Sequence, residues 1–178
     1  MPKKITSRLA RAAAKQRFVR VHRSIEGADT LDGFVLATSP AWTLLSTASD
    51  LRNDGFSAIR TTDITRVGRR DNDLTVRVLR QRGHWPPAHP PLDLTDLPGL
   101  LRDAAAHHPL LCLHLERQNP DACWVGTPVE FRPKSFRVRE IDPRAHWIEM
   151  PVKYRYKDIS RIDFGGHYEK TLAEFAQP

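Results

Sequence analysis

Arg60-Thr61-Thr62-Asp63-Ile64-Thr65-Arg66-Val67 returns later in the chain as Arg155-Tyr156-Lys157-Asp158-Ile159-Ser160-Arg161-Ile162. The pattern Arg-x-x-Asp-Ile-[Thr/Ser]-Arg-[Val/Ile] thus occurs twice, with Asp63 and Asp158 separated by 95 positions. Upstream of each copy stands the same kind of opening. Ala12-Ala13-Ala14 precedes Phe18-Val19-Arg20-Val21-His22, and Ala104-Ala105-Ala106 precedes Leu110-Leu111-Cys112-Leu113-His114, at an offset of 92. Self-similarity of this kind marks a duplicated structural unit, and it predicts that residues 8–67 and 100–162 share one backbone.

Each unit reads as a helix followed by short strands. In the first, Ser7 is expected to cap a helix over Arg8–Arg17. Strands are expected at 18–23, 33–38, 42–48, 56–61 and 64–67, broken by Asp32-Gly33, Ser39-Pro40 and Asp54-Gly55, whose residues favour turns. A helix at 73–82 closes the unit. The second unit has a helix near 100–108, stopped before Pro109 because the residue preceding a proline disfavours helical geometry. Its strands fall near 110–117, 122–127, 135–141, 147–156 and 159–163, and a short helix covers 168–176. Asp63 and Asp158 are expected to hold their turns by accepting nearby backbone N–H groups. Val19, Val21, Leu111 and Leu113 alternate as core residues. Gly83–Leu92 carries four prolines and reads as a semi-rigid connector, with Trp85 packed between the units. The division is therefore 1–82, a linker at 83–97, and 98–178.

A helix followed by five short strands resembles the Sm-like (SH3-like) small β-barrel. The order in the first half, Gly33-Phe34-Val35-Leu36 through Trp42-Thr43-Leu44-Leu45 to Asp63-Ile64, carries the likeness. The chain also resembles an uncharacterised bacterial family with two such halves. The resemblance implies a mainly β protein with short flanking helices, built as two tandem five-strand barrels. It also implies RNA as a ligand, because Sm-like proteins bind RNA.

Charge adds a location. The 178 residues carry a formal charge of +7. Residues 1–23 hold eight basic and no acidic side chains, so the remainder is close to neutral. A basic arm on a neutral body suits nucleic acid, whose phosphates dominate affinity. The candidate nucleic-acid-binding residues are Lys3, Lys4, Arg8, Arg11 and Lys15 on the arm, with Arg60, Arg66, Arg155 and Arg161 from the repeated motif. Those four are expected at a barrel rim, where guanidinium groups pair with phosphate or stack on bases.

The other classes of chemistry find less support. No Gly-x-Ser-x-Gly, Gly-x-x-x-x-Gly-Lys or Gly-x-Gly-x-x-Gly is present. Asp71 with Asp73, and Glu140 with Asp142, lie in or beside expected loops, where acidic residues are ordinary, so a non-enzymatic protein is expected. His84, His89, His107, His108 and His114, with Cys112 and Cys123, form no complete metal-ligand spacing. Neither metal nor cofactor is expected, and the face of Cys112 and His114 is assigned to packing. Two cysteines make no disulfide framework. No apolar run suggests a leader or a membrane span, so the expectation is a cytoplasmic protein without a membrane partner. The alternative to nucleic acid is a protein partner, as for an inhibitor, immunity or adaptor protein, with Trp42, Trp124 and Trp147 as anchors.

Overall fold

The computed structural model describes residues 3–70, 73–85, 88 and 91–177, and of Lys3 the backbone alone. The connector prolines Pro86, Pro87 and Pro90, together with Asp71 and His89, lie outside the described residues. The chain is mainly β. Helix α1 (Lys3–Ala14) leads into β1 (Phe18–Arg23), β2 (Leu31–Thr38), β3 (Trp42–Ser49), β4 (Arg52–Arg60) and β5 (Ile64–Arg69). Helices α2 (Leu74–Gln81) and α3 (Leu97–His107) follow. Then come β6 (Leu111–His114), β7 (Cys123–Phe131), β8 (Ser135–Glu140), β9 (Val152–Arg155), β10 (Arg161–Phe164) and α4 (His167–Glu174). Among the described residues no helix is long and apolar enough to cross a membrane.

All ten strands belong to one antiparallel sheet, ordered β5-β1-β2-β3-β4-β10-β6-β7-β8-β9. It does not close: the two expected five-strand units form one open sheet, with β5 and β9 at its margins. The joint is β4 against β10, with Ala58 opposite Ile162 and Phe56 opposite Phe164. The two halves have the same internal order. Their registers also correspond: Val19 faces Gly33 as Leu111 faces Gly126. Both second strands bulge at the same place, between Val35 and Ala37 and between Pro128 and Glu130. Each repeated motif forms a single 3-10 turn, Thr61–Asp63 and Tyr156–Asp158.

Packing explains the helices. Ile5, Leu9 and Ala12 recur at helical spacing and are buried against Val19, Val21, Val35, Leu45, Ile59 and Ile64. Burying Ile5 carries α1 back to Lys3. Ser7 is therefore interior and exposed, not the cap, because a cap bond near 1 kcal/mol yields to about 1.5–3 kcal/mol per buried aliphatic side chain. In α3, Leu97, Leu100, Leu101 and Ala104 do the same for Leu111, Leu113, Phe136 and Ile162. Its cap is Asp96, whose Oδ1 accepts from Gly99 N at 2.7 Å. Ile162 is level with Ala58, whereas Ile59, on the face beneath α1, is level with Arg161. Adjacent strand residues point to opposite faces, so α1 and α3 cover opposite faces of the continuous sheet. The fourth strand expected in the second unit, 147–156, shortens to β9, because Pro151 has no N–H to give the ladder.

The turn aspartates are held differently from expectation. Asp63 Oδ1 accepts from Arg117 Nη2 at 2.5 Å, and Asp158 Oδ2 accepts from Arg155 Nε at 2.6 Å. A cationic guanidinium gives an aspartate a charge-assisted hydrogen bond, which competes well with that of a neutral backbone amide. Asp63 thereby ties the two halves together instead of its own turn.

Gly55 shows how closely the halves approach. It has φ +74°, and a Cβ there would lie 2.4 Å from Gly166 N and 2.6 Å from Gly165 C. Left-handed geometry costs an L-residue about 1–2 kcal/mol, and overpacking adds about as much. Gly55→Ala is expected to cost roughly 2–3 kcal/mol in urea unfolding. An unchanged midpoint would show that the Gly165–Gly166 segment yields freely.

Candidate nucleic-acid interface

On α1, the side that does not pack on the sheet carries Lys4, Arg8 and Arg11, and Lys15 follows in the turn just after the helix, all exposed. Their spacing follows the helix period, and the opposite apolar side fixes the helix to the sheet. The basic segment is therefore placed, not trailing. Beside it runs β5, a margin of the sheet, which exposes Arg66 and Arg69. Between helix and strand lies a groove of about 440 Å³. Arg8, Arg11, Arg17, Arg66 and Arg69 surround it over a floor of Ala12, Val19 and Val67, and among the described residues no acidic side chain lines it. Among the described residues, no hydrogen bond or ion pair of the side chain engages Arg8, Arg11, Arg17 or Arg66.

Next to the groove, Lys15 and Arg17 border a second depression with Arg80 and Trp85. The Arg80 guanidinium lies 5.2 Å from the Trp85 ring centre, and Trp85 packs on Phe34 at 4.5 Å. Trp85 thus leans on the first half, with an aromatic face and a cation beside the arginine groove.

The expected residues separate into two sets. Arg8, Arg11 and Arg66 come together at the β5 margin, Lys15 borders the neighbouring depression, and Lys4 lies one turn before Arg8 on α1. Lys3 belongs to the same helix, but its side chain lies outside the described residues. Arg60 is committed elsewhere: its Nε donates to Ile159 O at 2.6 Å and its Nη2 to Tyr156 O at 2.5 Å. It also covers the Trp42 ring at 4.9 Å. Burial is the largest influence on it and lowers its pKa, and the site is a seam between halves, not a rim. Arg155 sits on β9, at the opposite end of the sheet, bonded to Asp158. Arg161 is bidentate to Asp163 and its side chain is only 15% exposed. These three do not join the groove. Arg17 and Arg69 do; Arg17 is counted in the basic segment without being one of the candidates named from it, and Arg69 lies outside both that segment and the repeated motif.

The tryptophan anchors fare similarly. Trp42 is 1% exposed and belongs to the core. Trp124 packs beside Tyr154, and Trp147 lies under the Arg139 guanidinium.

A second cluster occupies the face of the sheet opposite α3. Cys112 and His114 point the same way from β6, and Cys123, directly opposite His114 on β7, joins them. His114 Nε2 lies 2.9 Å from Asp163 Oδ2 on β10. Burial opposes the charge on Asp163, but His114 and Arg161 together hold its pKa below the usual carboxylate range. The Cys112 thiol, hydrogen-bonded to Cys123, favours a thiolate at Cys123 and lowers its pKa.

No protein-family profile, curated protein or solved structure matches the chain.

Proposed function

We propose that this is a non-enzymatic nucleic-acid-binding protein, with single-stranded RNA as its first ligand, built from two tandem Sm-like units that share one sheet. The observation that carries the binding reading is the groove between α1 and β5, where Arg8, Arg11, Arg17 and Arg66 gather with no acidic residue among the described lining. Phosphates of a single strand would follow the guanidinium groups, and the floor and Trp85 offer apolar and aromatic surface to bases. The common strand order and the shared bulges support the tandem reading.

A specific observation favours a protein partner as the second reading. Ile148, Met150 and Val152 are exposed beside and within the β9 margin, with Met150 71% exposed. An apolar edge of this kind suits an added strand from another protein.

Fluorescence anisotropy with a labelled oligouridylate, titrated at several salt concentrations, separates the two. Engagement of three groove arginines predicts a log–log salt slope of about −2 on a single strand. Absence of binding at low salt would remove the RNA reading and leave the β9 margin as the site to pursue.

A further inference from the structure

We propose that Cys112, His114 and Cys123 form a binding site for a thiophilic divalent cation of the Zn²⁺ type. Their donor atoms all lie within 4.8 Å of one another. Cys112 Sγ stands 3.5 Å from His114 Nε2. In a tetrahedral zinc site, bonds of about 2.3 Å to sulfur and 2.0–2.1 Å to nitrogen set a sulfur–nitrogen edge near 3.6 Å. This edge is therefore already at its liganded length, and closing the site requires only a modest shift of Cys123.

The sheet supplies the rigidity. Cys112 and His114 are two apart on β6, and Cys123 pairs with His114 in register, so the backbone ladder fixes all three. Cys112 is buried, whereas Cys123 is exposed and gives the ion a path inward. Two thiolates and one imidazole neutralise a divalent cation and leave one coordination position for water, as in zinc sites with three protein ligands. On binding, the ion takes the His114 nitrogen now turned to Asp163, and the thiols release their protons to solvent. Asp163 stays alongside, held by Arg161.

Within the repeat this site belongs to the second half alone. The first half has Arg20 in the place of Cys112, and there Arg20 pairs with Asp32 at 2.5 Å. The same sheet position thus holds an ion pair in one half and a ligand set in the other. Sequence reading names all three residues but sets metal aside, because Cys123 enters from another strand at no recognisable spacing.

The test is titration of the reduced, full-length protein with Co²⁺ and then Zn²⁺. One equivalent of Co²⁺ is expected to give a thiolate-to-cobalt charge-transfer band and tetrahedral visible bands, which Zn²⁺ abolishes. Cys123→Ser, at an exposed position, should lose the charge-transfer intensity of one thiolate. It should weaken Zn²⁺ by more than the roughly 10–100-fold typical of losing an outer partner. His114→Asn should shift the visible bands, with circular dichroism confirming that each variant is folded. No band in the native protein, or an unchanged titration in folded Cys123→Ser, would overturn the proposal. So would oxidation to a Cys112–Cys123 disulfide in a protein that takes up no ion when reduced.

Discussion

Glu116→Ala is expected to destabilise the protein by about 3–5 kcal/mol, the cost of leaving a buried charge without its partner. Glu116 and Arg23 are 3% and 1% exposed in their side chains. Arg23 Nη1 donates to Glu116 Oε2 at 2.5 Å and Nη2 donates to Oε1 at 2.7 Å. Ser160 Oγ adds a bond to Oε2 at 2.7 Å. Arg23 ends β1 and Glu116 follows β6, so the pair joins the halves at their centre. Removing Glu116 leaves a guanidinium in the interior with Asp29 O as its remaining described acceptor. Arg23→Met combined with Glu116→Leu should recover much of the loss, because apolar groups of similar size need no partner there. Urea unfolding of the two singles and the double decides it. A double mutant as unstable as the sum of the singles would show that the pair is not coupled. Burial is the largest influence on Glu116 and opposes its charge, but Arg23 and Ser160 together hold its pKa below the usual value. A depressed carboxylate stabilises the fold fully above the unfolded value near 4.3. That stability is lost as the pH falls through the lower folded value. Native Glu116 should therefore contribute to acid unfolding, and the Arg23→Met, Glu116→Leu protein should lose that component.

Arg8→Glu with Arg11→Glu is expected to lower affinity for single-stranded RNA by on the order of 100–1,000-fold near 0.1 M salt. Each phosphate contact contributes about 0.7 to the salt slope, or roughly fivefold in affinity at that concentration. Reversal both removes a contact and adds repulsion, so two reversals approach four such factors. The fold should persist, because Ile5, Leu9 and Ala12 still anchor α1. Arg155→Glu, on β9, is the control and should bind as the native protein does. Equal loss from Arg155→Glu would mean that general charge, not the groove, governs binding.

How much of this was legible in the sequence depends on the distance over which each signal acts. The strands of both halves were readable because Val19 and Val21, like Leu111 and Leu113, alternate locally. The corresponding registers were foreshadowed by the offsets of 92 and 95. The joint between β4 and β10 was not readable, since an edge strand carries no local mark of the strand that will cover it. Arg60 illustrates the consequence. Its motif copy, Arg155, is exposed on a margin, whereas Arg60 is committed to carbonyls across the joint. The same residue in the same repeat position takes a different role because its half has a neighbour on that side. Within the candidate groove, the α1 arginines followed from charge counting. Arg17 and Arg69 required knowing that the helix end and β5 lie side by side.

The margin formed by β5 also has a colloidal consequence. Unpaired strand edges invite accretion of further chains, and charged side chains on the edge resist it. Arg66 and Arg69 place like charges where two such margins would meet, with Arg8 and Arg11 close behind. A groove that would attract phosphate would therefore also resist edge-to-edge pairing of two copies of the protein. A polyanion seated there screens that repulsion while itself covering the edge, so occupancy exchanges an electrostatic guard for a steric one.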